Sequence, residues 1–399
     1  MSSRSPIGNR GLLVLFLAIF VVMMGFGIVL PVLQFYARGV GATPLEIGLL
    51  ATSYAFMQFL FAPLWGGLSD RIGRKPVFSV GLTGYAVSFV LFGVSHQVWE
   101  LFAARILGGV LSAATLPTAM AYIADTTSEE RRGAGMGMMG AAMGLGFTIG
   151  PGIGGLLGRH DLALPFFVGA GLALVTLALS WGALPETIRR DSSWERPPRL
   201  TAIRTALGGP LAFYYMVTLV AAFALAGLEA TYALFAQDRL GLSSAAGAGA
   251  IGIVFVAVGI VQALILGGLV GRLINRFGEE RLVRGGLVIA AVGYLLITQT
   301  HSLATLAIFA AVAGVGHALI RPSIASLISK RTAGGMGLSI GIMDSFDSLG
   351  RILGPAWGGL VYHAGIALPY VSGAVALALA AGYAYAAVAR RVPVAAITR

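Results

Sequence analysis

An all-α polytopic membrane protein, with twelve transmembrane helices in two pseudo-symmetric six-helix bundles, is the fold class this sequence predicts. Three observations lead there. Of the 399 residues, 57% are hydrophobic and only 11% are charged, whereas a soluble domain carries about 25% charged residues to cover its surface. Apolar stretches of about 20 residues, the length that crosses about 30 Å of hydrocarbon, recur along the chain with polar punctuation. The two halves of the chain also repeat each other's motifs at a fixed offset.

The first six stretches lie at 11–36, 46–66, 77–95, 100–124, 134–158 and 163–185. They are helical because a membrane strand is about half as long and alternates in polarity. The first follows Arg4 and Arg10 as a signal peptide would, but it is too long for one and no small-residue cleavage site closes it. It is therefore expected to stay as a helix. Six more follow at 210–236, 247–271, 283–299, 303–328, 335–362 and 367–389. The division is then 1–185 as the N-terminal bundle, 186–208 as a linker and 209–399 as the C-terminal bundle. The linker holds Pro197, Pro198 and five Arg, with a short surface helix expected over Leu200 to Leu207.

Charge fixes the orientation. With the N-terminus inside, 21 of the 27 Lys and Arg fall in inner segments, three (Arg38, Arg159, Arg239) in outer ones and three (Arg105, Arg321, Arg351) within spans. One missed span would invert every later loop and destroy this asymmetry. A multi-pass protein of the cytoplasmic membrane with both termini cytoplasmic is expected. The formal charge of +11 is thus topological and gives no soluble basic face for nucleic acid. With no Cys and five scattered His, disulfides, thiolate chemistry and a metal centre are not expected. No G-x-x-x-x-G-K-[ST] loop is present, so nucleotide is not the expected energy source.

Duplication is visible in three matches. Gly66, Leu68, Asp70, Arg71 and Gly73 correspond to Gly271, Leu273, Asn275, Arg276 and Gly278 at an offset of 205. Gly150-Pro151-x-x-Gly154-Gly155 corresponds to Gly354-Pro355-x-x-Gly358-Gly359 at 204, and Pro117 to Pro322 at 205. Parallel halves with a site between them are a recurring transporter design.

The segment between the second and third spans reads Gly66-Gly-Leu-Ser-Asp70-Arg71-Ile-Gly73-Arg74-Lys75-Pro76. Its glycines permit a tight turn and its carboxylate sits among cations. Asp70 is placed to dock on the N-terminus of the eleventh span near Gly335, where a helix carries partial positive charge, as a gate between the halves. The fifth span carries Gly140, Gly144, Gly150, Pro151, Gly154 and Gly155, with small residues for close backbone approach and a proline to bend the helix. Met136, Met138, Met139 and Met143 are read as core or lipid contacts.

The string from Gly66 to Lys75 resembles the cytoplasmic signature of the major facilitator superfamily. Leu101-Phe-Ala-Ala-Arg105-Ile-Leu-Gly108-Gly109 is similar to that family's second motif, and the glycine-rich fifth span to the motif it associates with antiporters. Together with Pro31 in the first span, these resemble the twelve-helix drug:H⁺ antiporters. The resemblance covers essentially the whole chain. It implies a secondary transporter working by alternating access, driven by a proton gradient with no cofactor, whose partners are a small-molecule substrate, protons and membrane lipid. A monomer is expected. A symporter, a uniporter, a lipid or sugar exporter of the same fold and, remotely, a polytopic membrane enzyme are the alternatives.

Charge inside the membrane costs on the order of 2.5–3.5 kcal/mol on insertion scales, so ionisable residues there mark function. Asp344, Asp347, Ser348 and Arg351 share one face of the eleventh span. Asp347 and Arg351, at i and i+4, are read as a structural ion pair. Glu229 in the seventh span has no cation within two turns of its own helix, and Asp344 has no obvious helix partner. Because removal from water favours the neutral form of a carboxyl, Glu229 and then Asp344 are the candidate proton carriers, with a hydrogen-bonded structural role as the alternative. Arg105 is a candidate to hold the deprotonated acid, to bind an anionic substrate group or to brace its helix; the resemblance ties it to proton transfer. Gln34, Gln58, Phe147, Tyr232 and Gln262 are candidate substrate-cavity residues. His317 and Arg321 are read as interior polar packing. In the second half Asn275 replaces Asp70, and Glu279 and Glu280 replace Arg74 and Lys75, which predicts a weaker latch there.

Overall fold

The computed structural model describes residues 9–126, 129–184, 186, 211–331 and 336–389, and the secondary structure of these is helical throughout. The elements are α1 (Asn9–Gly39), α2 (Pro44–Ile72), α3 (Arg74–Gly93), α4 (Val98–Ser112), α5 (Thr115–Thr126), α6 (Glu129–Gly158) and α7 (Leu164–Ala183). They continue as α8 (Ala212–Leu240), α9 (Ser244–Leu264), α10 (Val270–Phe277), α11 (Glu279–Thr298), α12 (Leu303–Arg331), α13 (Met336–Ala364) and α14 (Leu368–Ala389). Of the expected linker only Glu186 is described; its remainder, with the helix expected over 200–207, lies outside the described residues.

Among the described residues these elements make twelve rods, because two pairs of elements each make one span. The fourth span breaks at Ala113 and Ala114, between α4 and α5. Pro117 has no N–H to offer the carbonyl of Ala113 four residues earlier, which is where the α-helical ladder fails. In the eighth span a π-helical turn, Ile265–Leu269, joins α9 to α10 without interrupting the rod. Among the described residues, ten rods are long and apolar enough to cross a membrane. The other two, α11 and α13, have 20 and 29 residues but carry Glu279, Glu280, Arg281 and Arg284 in the one case and Asp344, Asp347 and Arg351 in the other.

Helix starts follow from local chemistry. Before α2, Thr43 and Glu46 form a reciprocal capping box, with Glu46 Oε2 accepting from the Thr43 N–H at 2.7 Å and Pro44 entering the first turn. Before α4, Gln97 and Glu100 do the same. The segment expected as a loop from Gly66 to Pro76 is almost wholly helical: α2 runs to Ile72, α3 starts at Arg74, and Gly73 alone turns the chain. Gly73 has φ 107° and ψ 159°, a region open essentially to glycine. Gly278, φ 78°, makes the equivalent turn between α10 and α11.

By contacts the chain forms two compact units, Met1–Glu195 with Gly241–Gly259, and Arg196–Leu240 with Ile260–Arg399. In the first, α6 lies against α1 through Gly146, Gly150 and Gly154, spaced one turn apart. A Cβ on Gly146 would sit 2.5 Å from the Phe20 carbonyl oxygen, and one on Gly150 or Gly154 would strike the carbonyl of Met24 or Ile28. In the second, α13 lies against α8 through Gly350, Gly354 and Gly358, the same positions 204 residues later; these face the carbonyls of Leu219, Phe223 and Gly227. Gly155 turns instead to α9, where its Cβ would come 2.8 Å from Gly252 Cα. Gly140 and Gly144, taken from the sequence as part of the packing stripe, face open space. The close-approach stripe is the triplet ending at Gly154, and Gly146 belongs in it.

Candidate functional site

The polar stripe of α13 gathers charge in the second unit. Arg351 Nε donates to Asp347 Oδ2 at 2.9 Å one turn away. Asp344 does have a cationic partner, supplied from α12: Arg321 Nη2 donates to its Oδ1 at 3.0 Å, with the two side chains 58% and 52% exposed. That pairing corrects the reading of Arg321 as interior packing. Glu229, on α8, lies within electrostatic range of both Arg351 and Asp347. The nearest cation to act on Glu229 is therefore on α13, where Arg351 is paired with Asp347.

A cavity of about 320 Å³ opens beside this group. Its polar lining is Thr218, Gln262, His317, Arg321, Asp347 and Arg351, and the rest is apolar. His317 is buried and bonds the Tyr294 hydroxyl through Nε2 at 3.2 Å. Gln262 donates to the Gly314 carbonyl at 3.5 Å. Of the expected cavity residues, Gln262 lines this space. Tyr232 does not: it is buried, and its hydroxyl donates to the Leu306 carbonyl at 3.1 Å.

In the first unit the mid-span group is aromatic. Arg105 is 7% exposed, with its guanidinium carbon 5.3 Å from the centre of the Tyr54 ring and 5.1 Å from that of Phe92. Gln58 Nε2 donates to the Tyr54 hydroxyl at 3.1 Å, and that hydroxyl shares a bond of 2.9 Å with Ser112 Oγ. Phe26 stacks on Phe147 at 6.1 Å and lies 6.2 Å from Tyr54. Gln58 and Phe147 thus belong to one cluster, while Gln34 is buried in α1. Tyr54 and Phe92 carry no sequence signal of their own, since an aromatic residue in an apolar span reads as core.

At the cytoplasmic end expected for the first unit, Arg74 is the hub. Its Nη1 meets Asp70 Oδ1 at 2.6 Å, its Nε meets Asp125 Oδ2 at 3.0 Å, and Nη1 also donates to Ser69 Oγ at 2.6 Å. Asp70 is held by its own loop's arginine; its expected dock near Gly335 lies outside the described residues. Glu186 Oε1 accepts from the Arg74 N–H at 2.8 Å, capping α3 in the space that a Gly73 side chain would fill. Lys75 reaches the Trp181 carbonyl and ring, and Arg71 is exposed.

The second unit repeats this junction with the signs reversed. Glu279 pairs with Lys330, and Glu280 with Arg331, which also bonds Tyr214. Arg74 and Asp125 map onto Glu279 and Lys330 at the offset of 205. The acid-for-base exchange that predicts a weaker junction is matched by a base-for-acid exchange on α12. Asp125 escaped the sequence reading because it looks like an ordinary end-of-helix charge; its alignment with Lys330 is the signal that finds it.

Helical spans with charged groups inside them and an adjoining cavity point to a polytopic carrier of small molecules. The comparisons name the class. The chain matches the Major Facilitator Superfamily over residues 15–270 and 249–398, and belongs to it. It is 31% identical to Multidrug resistance protein 1 of Bacillus subtilis (strain 168), covering 93% of this chain and 94% of that one. It is 27% identical to Quinolone resistance protein NorA of Staphylococcus aureus, covering 93% and 95%. In fold it resembles the crystal structure of a bacterial homolog of the human lysosomal transporter Spinster, with a TM-score of 0.77 at 18% identity over 96% and 98% of the two chains. The protein is a multi-pass membrane transporter of small molecules.

Proposed function

We propose that this protein is a proton-coupled exporter of small amphipathic or lipophilic compounds, of the multidrug type, working by alternating access as a monomer in the cytoplasmic membrane with both termini inside. The observation that carries the reading is the Arg351–Asp347 ion pair lining the cavity, with Glu229 within its electrostatic range. With Glu229 protonated, Arg351 is balanced by Asp347 alone. When Glu229 loses its proton, the same guanidinium has two carboxylates to satisfy, and its position beside the cavity makes that change felt by a bound substrate. Asp344 with Arg321 is a second, more accessible acid pair for the same purpose. The similarity to proteins named for multidrug and quinolone resistance supports export of drug-like molecules. The proton gradient supplies the energy and no cofactor takes part.

The direction of proton movement tests this. In proteoliposomes with a pH-sensitive dye inside, substrate added outside runs inward down its gradient. Antiport predicts that the lumen turns alkaline. Acidification would mean symport, and an unchanged lumen pH during substrate entry would mean uniport; either overturns the proposal.

A further inference from the structure

Besides the ion-paired groups, the polar side chains lining the cavity of the second unit are Thr218, Gln262 and His317. Two of them turn to helix carbonyls: Thr218 Oγ1 donates to Tyr214 at 2.9 Å and Gln262 Nε2 to Gly314 at 3.5 Å. His317 is different. Its Nε2 meets the Tyr294 hydroxyl at 3.2 Å, and no further hydrogen bond joins the ring to a described residue. The partner is firmly placed. Tyr294 is fully buried on α11, its ring fills the space that a Gly373 side chain would need, and a Cβ on Gly293 would strike the backbone of Ala313, so α11 and α12 lie close together.

The place of the imidazole proton follows from that hydroxyl. The Tyr294 O–H has no other acceptor among the described residues, and a buried hydroxyl left without one is disfavoured. It is met only when the phenol donates and Nε2 accepts. A neutral imidazole carries one proton, so a bare Nε2 puts that proton on Nδ1. The other tautomer, or an imidazolium, would donate to the phenol oxygen and strand the phenol proton. His317 is 8% exposed and lines the cavity, so Nδ1–H, the nitrogen without a protein partner, is the donor it offers there.

We infer that His317 is a specificity residue of the cavity, a hydrogen-bond donor to a neutral acceptor such as a ketone or amide carbonyl on an amphipathic substrate. Tyr294, which does not line the cavity, is a positioning residue that sets the tautomer. The apolar wall of Ala221, Leu225, Leu266 and Ile320 would take the body of such a molecule, and its carbonyl, cut off from water there, needs a donor. A site of this kind prefers the carbonyl compound to the same skeleton without it. The inference rests on the transporter reading above and adds a feature of the substrate to it.

Two measurements test it. The first needs no substrate. In membranes holding the full-length protein with nitrogen-15-labelled histidine, chemical shifts separate protonated from bare ring nitrogens, and correlation through the ring carbons tells Nδ1 from Nε2. The signals lost in His317→Asn identify His317 among the five histidines. A bare Nε2 and a protonated Nδ1 are expected, with the proton divided between the two nitrogens in Tyr294→Phe. A proton on Nε2 of the wild type, with or without one on Nδ1, would overturn the inference.

The second compares xanthone with xanthene, one tricycle with and without a carbonyl. Binding of each radiolabelled compound to the purified protein in an uncharged detergent is read by scintillation proximity, as the ratio of the two affinities, so that partition into detergent cancels between variants. The wild type should favour xanthone. The amide of His317→Gln reaches toward Tyr294 and leaves the Nδ1 position empty, which should cut the preference about three- to tenfold, the worth of one neutral hydrogen bond. His317→Asn puts an N–H at the Nδ1 position and should keep more of it. Tyr294→Phe should cut it about twofold or more, as part of the population takes the other tautomer. No preference in the wild type, an unchanged ratio in His317→Gln, or equal losses in the Gln and Asn variants would each overturn the inference. Thermal unfolding shows which variants are folded, and the spectra of wild type and Tyr294→Phe decide the matter if those at His317 are not. Failure of proton-linked transport would count against the export reading and leave both measurements standing.

Discussion

At the residue scale, single groups here are explained by what they touch across helices more than by their own sequence neighbours. Glu229 has no cation near it along α8, and Arg351 of α13 lies within electrostatic range of it. Asp344 is met by Arg321 of α12. Gly73 shows how tightly a position can be defined: its backbone at φ 107° and ψ 159° belongs to glycine, and Glu186 occupies the place a side chain would take, with Oε1 2.5 Å from a Cβ built there. Gly73→Ala should therefore lower stability by about 1–3 kcal/mol, the cost of such backbone strain, and also displace the cap on α3. Thermal unfolding in detergent measures it; a melting temperature equal to wild type would show that the turn relaxes without cost.

At the scale of elements, the charge-reversed junctions separate what sequence reasoning can and cannot reach. The exchange of Arg74 for Glu279 is plain in the sequence, but the compensating exchange of Asp125 for Lys330 lies 51 residues away in both units and needs the packing of α5 beside α3, and of α12 beside α11, to acquire meaning. Burial then ranks the two. The side chains of Arg74 and Asp125 are 8% and 12% exposed, whereas Lys330 is 64% exposed and its partner Glu279 12%. Removing one partner of a pair buried on both sides costs about 3–5 kcal/mol, and a pair with one solvent-screened partner loses less. Arg74→Ala should destabilise the protein severely and Lys330→Ala less, as read by thermal unfolding; equal losses would contradict the ranking. The glycine stripe teaches the same lesson. Gly140 and Gly144 share the spacing of Gly150 and Gly154, but only the latter pair faces α1, and composition cannot say which face of α6 that is.

For the whole molecule, the twelve spans and the duplication were legible because both are written in features that a membrane enforces: length, apolarity and the sidedness of Lys and Arg. The break at Pro117 and the helical character of Gly66–Ile72 were not, since they depend on one missing N–H and one glycine turn. The candidate site was legible as a set of charges and not as a set of partners, because pairing across helices is a product of the fold. The central claim is that Glu229, balanced by Arg351, carries the coupled proton. Glu229→Gln keeps the shape of the side chain and removes its titration, so the most direct measurement sets two activities of this variant side by side in proteoliposomes: exchange of labelled for unlabelled substrate, and substrate-driven movement of protons. The account predicts that exchange persists while proton movement is lost. Proton movement at the wild-type rate in Glu229→Gln would contradict it.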